Sequence, residues 1–215
     1  MDLDAARTEY HRVRIARAME NFGRRSFATH YFETSSDAAD FFFSEILPGE
    51  SIGYGGSDTA RQLGIMGRLR SEGHNLLDRS TFGHSYDEQL DIRRRTLSAD
   101  VFIASSNAVS MGGSLVNIDA TGNRVAGLSF GPRRVFLFIG RNKLCDDLDS
   151  AIHRAKNVAS VSLAIQLGKD TPCVKTGRCH DCASPDRICS VLSMIERCEP
   201  PGRISLLFIN EDLGL

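Results

Sequence analysis

Residues 135–139 read Val135-Phe136-Leu137-Phe138-Ile139, and Gly140 closes the run. Five consecutive apolar residues, β-branched and aromatic types among them, make a strand with both faces covered. That is the habit of a parallel sheet between two layers of helices. Two more runs share it: Val101 to Ala104 and Ile204 to Ile209. Shorter strands are expected at 27–33, at Ile52-Gly53, at 74–78 and at 115–119. Helical patterns lie between them. Ile15, Ala18, Met19 and Phe22 recur at helical spacing within residues 2–22, with Gly23 as the stop. Ser35 or Ser36 starts a second helix that Pro48-Gly49 ends. Helices are also expected from Asp58 to Leu63, over 86–98, and from Leu148 towards Gly168. Strands alternating with helices predict an α/β fold: an open, mostly parallel sheet flanked by helices.

The composition agrees. The chain has 215 residues, with 41% hydrophobic and 25% charged. This suits one soluble domain spanning residues 1–215 that buries its core without disulfides. Lys plus Arg number 26 and Asp plus Glu 27, so the basic footprint of a nucleic-acid binder is missing. Charge begins at Asp2 with no apolar segment behind it, so no signal peptide is expected. No run of about 18 apolar residues occurs, so no membrane span is expected. The expected compartment is the cytoplasm, where thiols stay reduced.

Two polar segments follow strands. Gly53-Tyr54-Gly55-Gly56-Ser57-Asp58-Thr59 joins a strand to a helix. Its glycines allow close backbone approach, and the helix start favours an anion. It lacks the Lys of a P-loop and the third Gly of a dinucleotide fingerprint. The other reading is a tight turn capped by Ser57. The second segment runs from Ser105 through Asn107, Gly112, Gly113 and Asn117 to Asn123. Ligands of open parallel sheets sit beyond the strands' carboxyl ends, so both segments are placed at one crevice. The competing reading of the second is a polar loop and a hairpin.

Residues 169–202 interrupt the alternation and are read as an irregular insertion. They hold four of the six Pro and five of the six Cys. Cys173, Cys179, Cys182 and Cys189 follow a C-x5-C-x2-C-x6-C spacing. Cys179 and Cys182 form the two-residue bite that grips one metal, and thiolates select zinc or iron–sulfur iron. A disulfide and plain free thiols remain the alternatives. Cys145 stands alone and is read as a packing residue. The histidines show no paired spacing. Neither a Gly-x-Ser-x-Gly elbow nor a His-Glu-x-x-His occurs, which speaks against a hydrolase. Glu211-Asp212 follows the last strand, where a carboxylate serves as base or nucleophile only rarely.

The run from Asp100 to Asp119 resembles the LUD domain family, the lactate-utilization proteins. Gly55-Gly56-Ser57 with Leu63-Gly64, Arg141-Asn142-Lys143 and Asn210 to Gly214 are similar too. The segment from Pro172 to Cys189 looks like that family's cysteine-containing branch. The resemblance implies the superfold of ribose-5-phosphate isomerases and CoA transferases. It also implies work in a bacterial system that oxidises lactate to pyruvate beside iron–sulfur partner proteins. Isomerases of the superfold carry an acid where this chain has Asn107, and no residue clearly matches the CoA-transferase Glu; Glu211 is a late candidate. What carries over is a crevice for a small anionic carboxylate or phosphate. Gly55, Gly56, Ser57 and Thr59 are expected to hold one end of it, and Asn107, Gly112, Gly113, Asn117 and Lys143 the other. The expected cofactor is an iron–sulfur cluster or zinc at the Cys segment. Stand-alone catalysis on a sugar phosphate or acyl-CoA, or a non-catalytic metal or redox sensor, are the rival functions. Self-association stays open.

Overall fold

The structure is a computed structural model that describes residues 2–78 and 83–215. The chain opens with α1 (Leu3–Arg24), β1 (Ala28–Phe32), α2 (Ser35–Glu45) and β2 (Ser51–Tyr54). Next come α3 (Asp58–Gln62), α4 (Ile65–Ser71), β3 (Asn75–Leu77), α5 (Tyr86–Thr96) and β4 (Val101–Ala104). The middle holds β5 (Ala108–Ser110), β6 (Leu115–Asp119), α6 (Asn123–Ser129), β7 (Arg134–Gly140) and β8 (Leu144–Cys145). The last elements are α7 (Leu148–Arg154), α8 (Ser160–Gln166), α9 (Pro172–Thr176), β9 (Val191–Ile195) and β10 (Ile204–Ile209).

Six strands form one sheet in the order β1-β10-β7-β4-β2-β3, and every neighbouring pair is parallel. Strand alternation divides the core in two. Phe136 and Phe138 of β7, Val101 and Ile103 of β4, and Leu207 and Ile209 of β10 face α2, α3 and α4. Val135, Leu137, Ile139, Phe102, Leu206 and Phe208 face the other way, onto Ile15, Ala18 and Phe22 of α1. Both faces are therefore covered, as the apolar runs predicted.

A second sheet is the main departure from the sequence reading. Its order is β8-β5-β6-β9. β6 runs antiparallel to both neighbours, and β5 is parallel to β8. β5 starts four residues after β4 ends, so this sheet grows from the carboxyl edge of the main one. Residues 169–202 are only partly irregular. They contribute α9, and β9 completes the second sheet through five registered pairs with β6. Where the polar segment ends, Thr121-Gly122 leads into α6, which starts at Asn123. The helix expected from Leu148 to Gly168 is α7 and α8 joined by a π-helical turn over Ala155–Ala159. Among the described residues no helix is long and apolar enough to cross a membrane.

Candidate functional site

Because the main sheet is parallel, the segments after β2, β4, β7 and β10 leave from one edge. The segment after β2 is held by Tyr54, whose hydroxyl accepts from Ser57 N at 2.7 Å and donates to Ser57 O at 2.9 Å. Burial raises the Tyr54 phenol above its usual pKa, which keeps it protonated for that double role. Gly55 has no room for a side chain. A Cβ there would stand 2.7 Å from Phe102 and 3.2 Å from Arg124. Gly56 follows with φ +81°. The Ser57 hydroxyl accepts from Ala60 N and so caps α3, a helix of five residues. Ser57 thus matches the turn-and-cap reading, and so short a helix offers little dipole.

The chemistry gathers one turn further on. Lys143 ends a 3-10 turn, Arg141–Lys143, behind β7, and it is 4% exposed. Its ammonium nitrogen donates to Thr59 Oγ1 at 2.9 Å and to Ser105 Oγ at 3.0 Å. Ser105 donates onward to Phe138 O at 2.7 Å. Burial, reinforced by Arg154 and then Arg124, lowers the Lys143 amine to about 7.

The two arginines complete the group. Arg124, at the start of α6, donates through Nη2 to Asn107 Oδ1 at 2.6 Å and to Ile118 O at 2.5 Å, while its buried Nε has no partner among the described residues. Arg154, the last residue of α7, donates to Asn142 O at 2.9 Å and to Asn107 O at 2.5 Å. Burial lowers the pKa of both guanidiniums, though an arginine stays charged. Asn107 is the hub, since its Oδ1 also accepts from Ile118 N at 2.9 Å. The ladder pairing Ala108 with Val116, extended by one residue, sets Asn107 opposite Asn117. Asn117 is fully buried, and among the described residues neither end of its amide has a partner. Among the described residues, Lys143, Arg124 and Arg154 form no ion pair.

The segment after β10 lies over this group. Gly214 N donates to Gln62 Oε1 at 2.7 Å, and Leu213 N to Asn142 Oδ1 at 3.1 Å. A Cβ on Gly214 would come within 2.3 Å of Thr59 Oγ1 and 3.1 Å of Lys143 Nζ. Glu211 points elsewhere. Its carboxylate accepts from Ser35 N at 2.8 Å, at the start of α2.

Of the residues predicted from sequence, the structure brings Thr59, Asn107, Asn117 and Lys143 to one edge, with Gly55 against Arg124. Gly112 and Gly113 lie in the β5–β6 turn instead. A Cβ on Gly113 would meet Arg25 and Asn21 of α1 at 3.0–3.1 Å, and Asn21 donates to Met111 O at 2.7 Å. The small size of Gly113 serves packing on α1. Arg124 and Arg154 were missed; Ser105 opens the polar segment placed at the crevice but was not singled out. Nothing in local spacing marks an arginine as facing inward; only the second sheet and the π-helical turn decide that.

The four clustered cysteines border one small cavity beside Lys156, Ser160 and Arg187. All six cysteines are free thiols. Cys179 N donates to Asn157 Oδ1 at 3.0 Å, and Asp181 N to Cys179 Sγ at 3.4 Å. Arg187 donates to Cys182 O at 2.5 Å and to Cys189 O at 3.0 Å. Burial, the largest cause, raises the Cys189 thiol above its usual pKa. Among the described residues no three His, Cys, Asp or Glu side chains form a group ready to hold a metal ion. Cys145 packs against the smallest core cluster, and Cys198 is fully buried in the α1 layer.

No curated protein matches the chain. Among solved structures, it is similar to a DUF162 family protein from Deinococcus radiodurans. The TM-score is 0.48 at 11% identity, over 94% of this chain and 97% of that one. The model of the LUD domain matches residues 15–209. The chain therefore belongs to the LUD domain family, a family associated with lactate utilization.

Proposed function

We propose that the crevice around Lys143 binds a small organic acid of the 2-hydroxy or 2-oxo class, in an oxidation that passes electrons to iron–sulfur partner proteins. One observation carries this: the buried ammonium of Lys143 and the half-buried guanidiniums of Arg124 and Arg154 gather at the strand ends, and among the described residues none of the three is ion-paired to an Asp or Glu. Burying charge is costly unless it is matched. A carboxylate ligand matches it, and arginine offers a planar fork for that group. Asn117, with an unpartnered amide, adds a donor and an acceptor for a hydroxyl or carbonyl next to the carboxylate.

The Lys143 amine is poised to move a proton. With a pKa of about 7, it is partly neutral at physiological pH and accepts the hydroxyl proton of a 2-hydroxy acid. The two electrons then pass one at a time to the iron–sulfur clusters of the partner proteins, and the proton from the C–H bond is released to solvent. Ligand reaches Lys143 when the 213–215 segment lifts from Thr59.

Thermal unfolding with L-lactate, pyruvate, inorganic phosphate and ribose 5-phosphate tests the reading. Lactate or pyruvate at about a hundred times its Kd is expected to add about 2.7 kcal/mol, or roughly 5–10 °C in Tm at this chain length. Stabilisation by the phosphates alone would transfer the crevice to a phosphorylated substrate. No stabilisation by any of them overturns the assignment.

A further inference from the structure

The crevice leaves the cysteine segment unused. We infer that Cys173, Cys179, Cys182 and Cys189 are the four thiolate ligands of a metal centre, an ion or a cluster, built against the π-helical turn at Ala155–Ala159. The inference goes beyond the organic-acid reading and does not depend on it.

Sixteen positions separate the first cysteine from the last, yet all four border the same cavity. Fourfold thiolate is the donor set of structural zinc and of iron–sulfur clusters. Packing alone does not explain the convergence. The loop between α9 and β9 has no regular structure and few buried apolar residues, so little but polar contacts holds four thiols inward. Those contacts suit thiolates. The Asp181 backbone N–H points at Cys179 sulfur. Lys156 and Arg187 border the cavity and offset negative charge; Asp181, the acid beside it, is already paired with Arg187 at 2.9 Å. In outer-shell fashion, Arg187 also ties the backbones of Cys182 and Cys189 together.

The helix wall supplies an independent observation. A π-helical turn is costly and concentrates at functional sites. Here it carries Lys156 and Asn157, and Asn157 holds the Cys179 backbone. Arg154 sits immediately before the same turn and reaches Asn107 in the crevice. Ile118 lines the space next to Cys179 and Cys189, while its backbone serves Asn107 and Arg124. The centre and the crevice thus share one helix and one strand. Among the described residues the four sulfurs do not yet form a group ready to hold a metal, so loading requires the 177–190 loop to close on it.

The test uses the full chain purified without oxygen. Iron, zinc and acid-labile sulfide are measured per chain, with the visible spectrum. Iron with sulfide and thiolate-to-iron absorption establishes a cluster, and about one zinc per chain establishes an ion; either supports the inference. Metal-free chain is then titrated with Zn²⁺, and separately with ferrous iron and sulfide. Uptake that protects four thiols from alkylation also supports it. Cys179→Ser/Cys182→Ser is expected to lose at least tenfold in metal affinity. Should that variant fail to fold, thiol protection in the unaltered chain decides instead. No metal as purified, no uptake and four alkylatable thiols would overturn the inference. So would a mass lower by two protons per disulfide.

Discussion

Lys143→Met is expected to abolish organic-acid binding and at the same time to make the ligand-free protein more stable. The two effects have one cause. In the folded chain Lys143 titrates near 7, far below the ordinary 10.5, chiefly because it is buried. Between those two values the unfolded chain holds a proton that the folded chain has released. Stability therefore rises with pH through that window and is lowest below about 7. At pH 7 the penalty is on the order of 4 kcal/mol. Methionine fills nearly the same volume and never charges. It gives up the hydrogen bonds to Thr59 and Ser105, worth about 1 kcal/mol each. The expected net gain at pH 7 is about 2 kcal/mol, or some 4–8 °C in Tm, and the pH dependence between 7 and 10 flattens. Thermal unfolding across pH, with and without lactate or pyruvate, checks both halves. A variant that is more stable yet binds as well as the parent would remove Lys143 from the site.

Asn107→Asp is the second large effect. Asn107 Oδ1 accepts from Ile118 N and from Arg124, and an aspartate oxygen of the same shape accepts both. The fold is expected to hold, with Tm changed by a few degrees at most. The added charge, however, pairs with Arg124 and repels an incoming carboxylate. Affinity for the organic acid should fall about 10- to 100-fold, equivalent to about 1.4–2.8 kcal/mol. Calorimetric titration reads this directly. Unchanged affinity would mean that the anion does not meet the Arg124 end of the crevice.

These residues also show how far the sequence can be read. The main sheet was legible because β4, β7 and β10 are apolar on both faces, a pattern that only a doubly covered strand needs. Thr59, Asn107 and Lys143 were legible because each follows a strand in a parallel sheet, and such segments share an edge. Gly112 and Gly113 follow the same polar run but turn away to α1, since β5 carries the chain off before they arrive. β5 and β8 are three and two residues long, too short for any periodicity to declare itself. β9 was hidden for another reason: Val191, Leu192 and Met194 lie exposed at a sheet edge, within a segment dominated by Cys and Pro. Arg154 and Asn157 fall in a helix whose register shifts at the π-helical turn. Counting at 3.6 residues per turn misplaces both.

We place buried Lys143 in a cationic site that takes a small carboxylate. Nitrogen-15 detection of the lysine side chains, titrated by NMR with and without saturating lactate or pyruvate, tests it at the atom concerned. One lysine, absent from Lys143→Met, is expected to titrate near 7 in the free protein and at clearly higher pH when ligand is bound, because an adjacent carboxylate favours the ammonium. A Lys143 resonance that titrates near 10, unmoved by either acid, would contradict it.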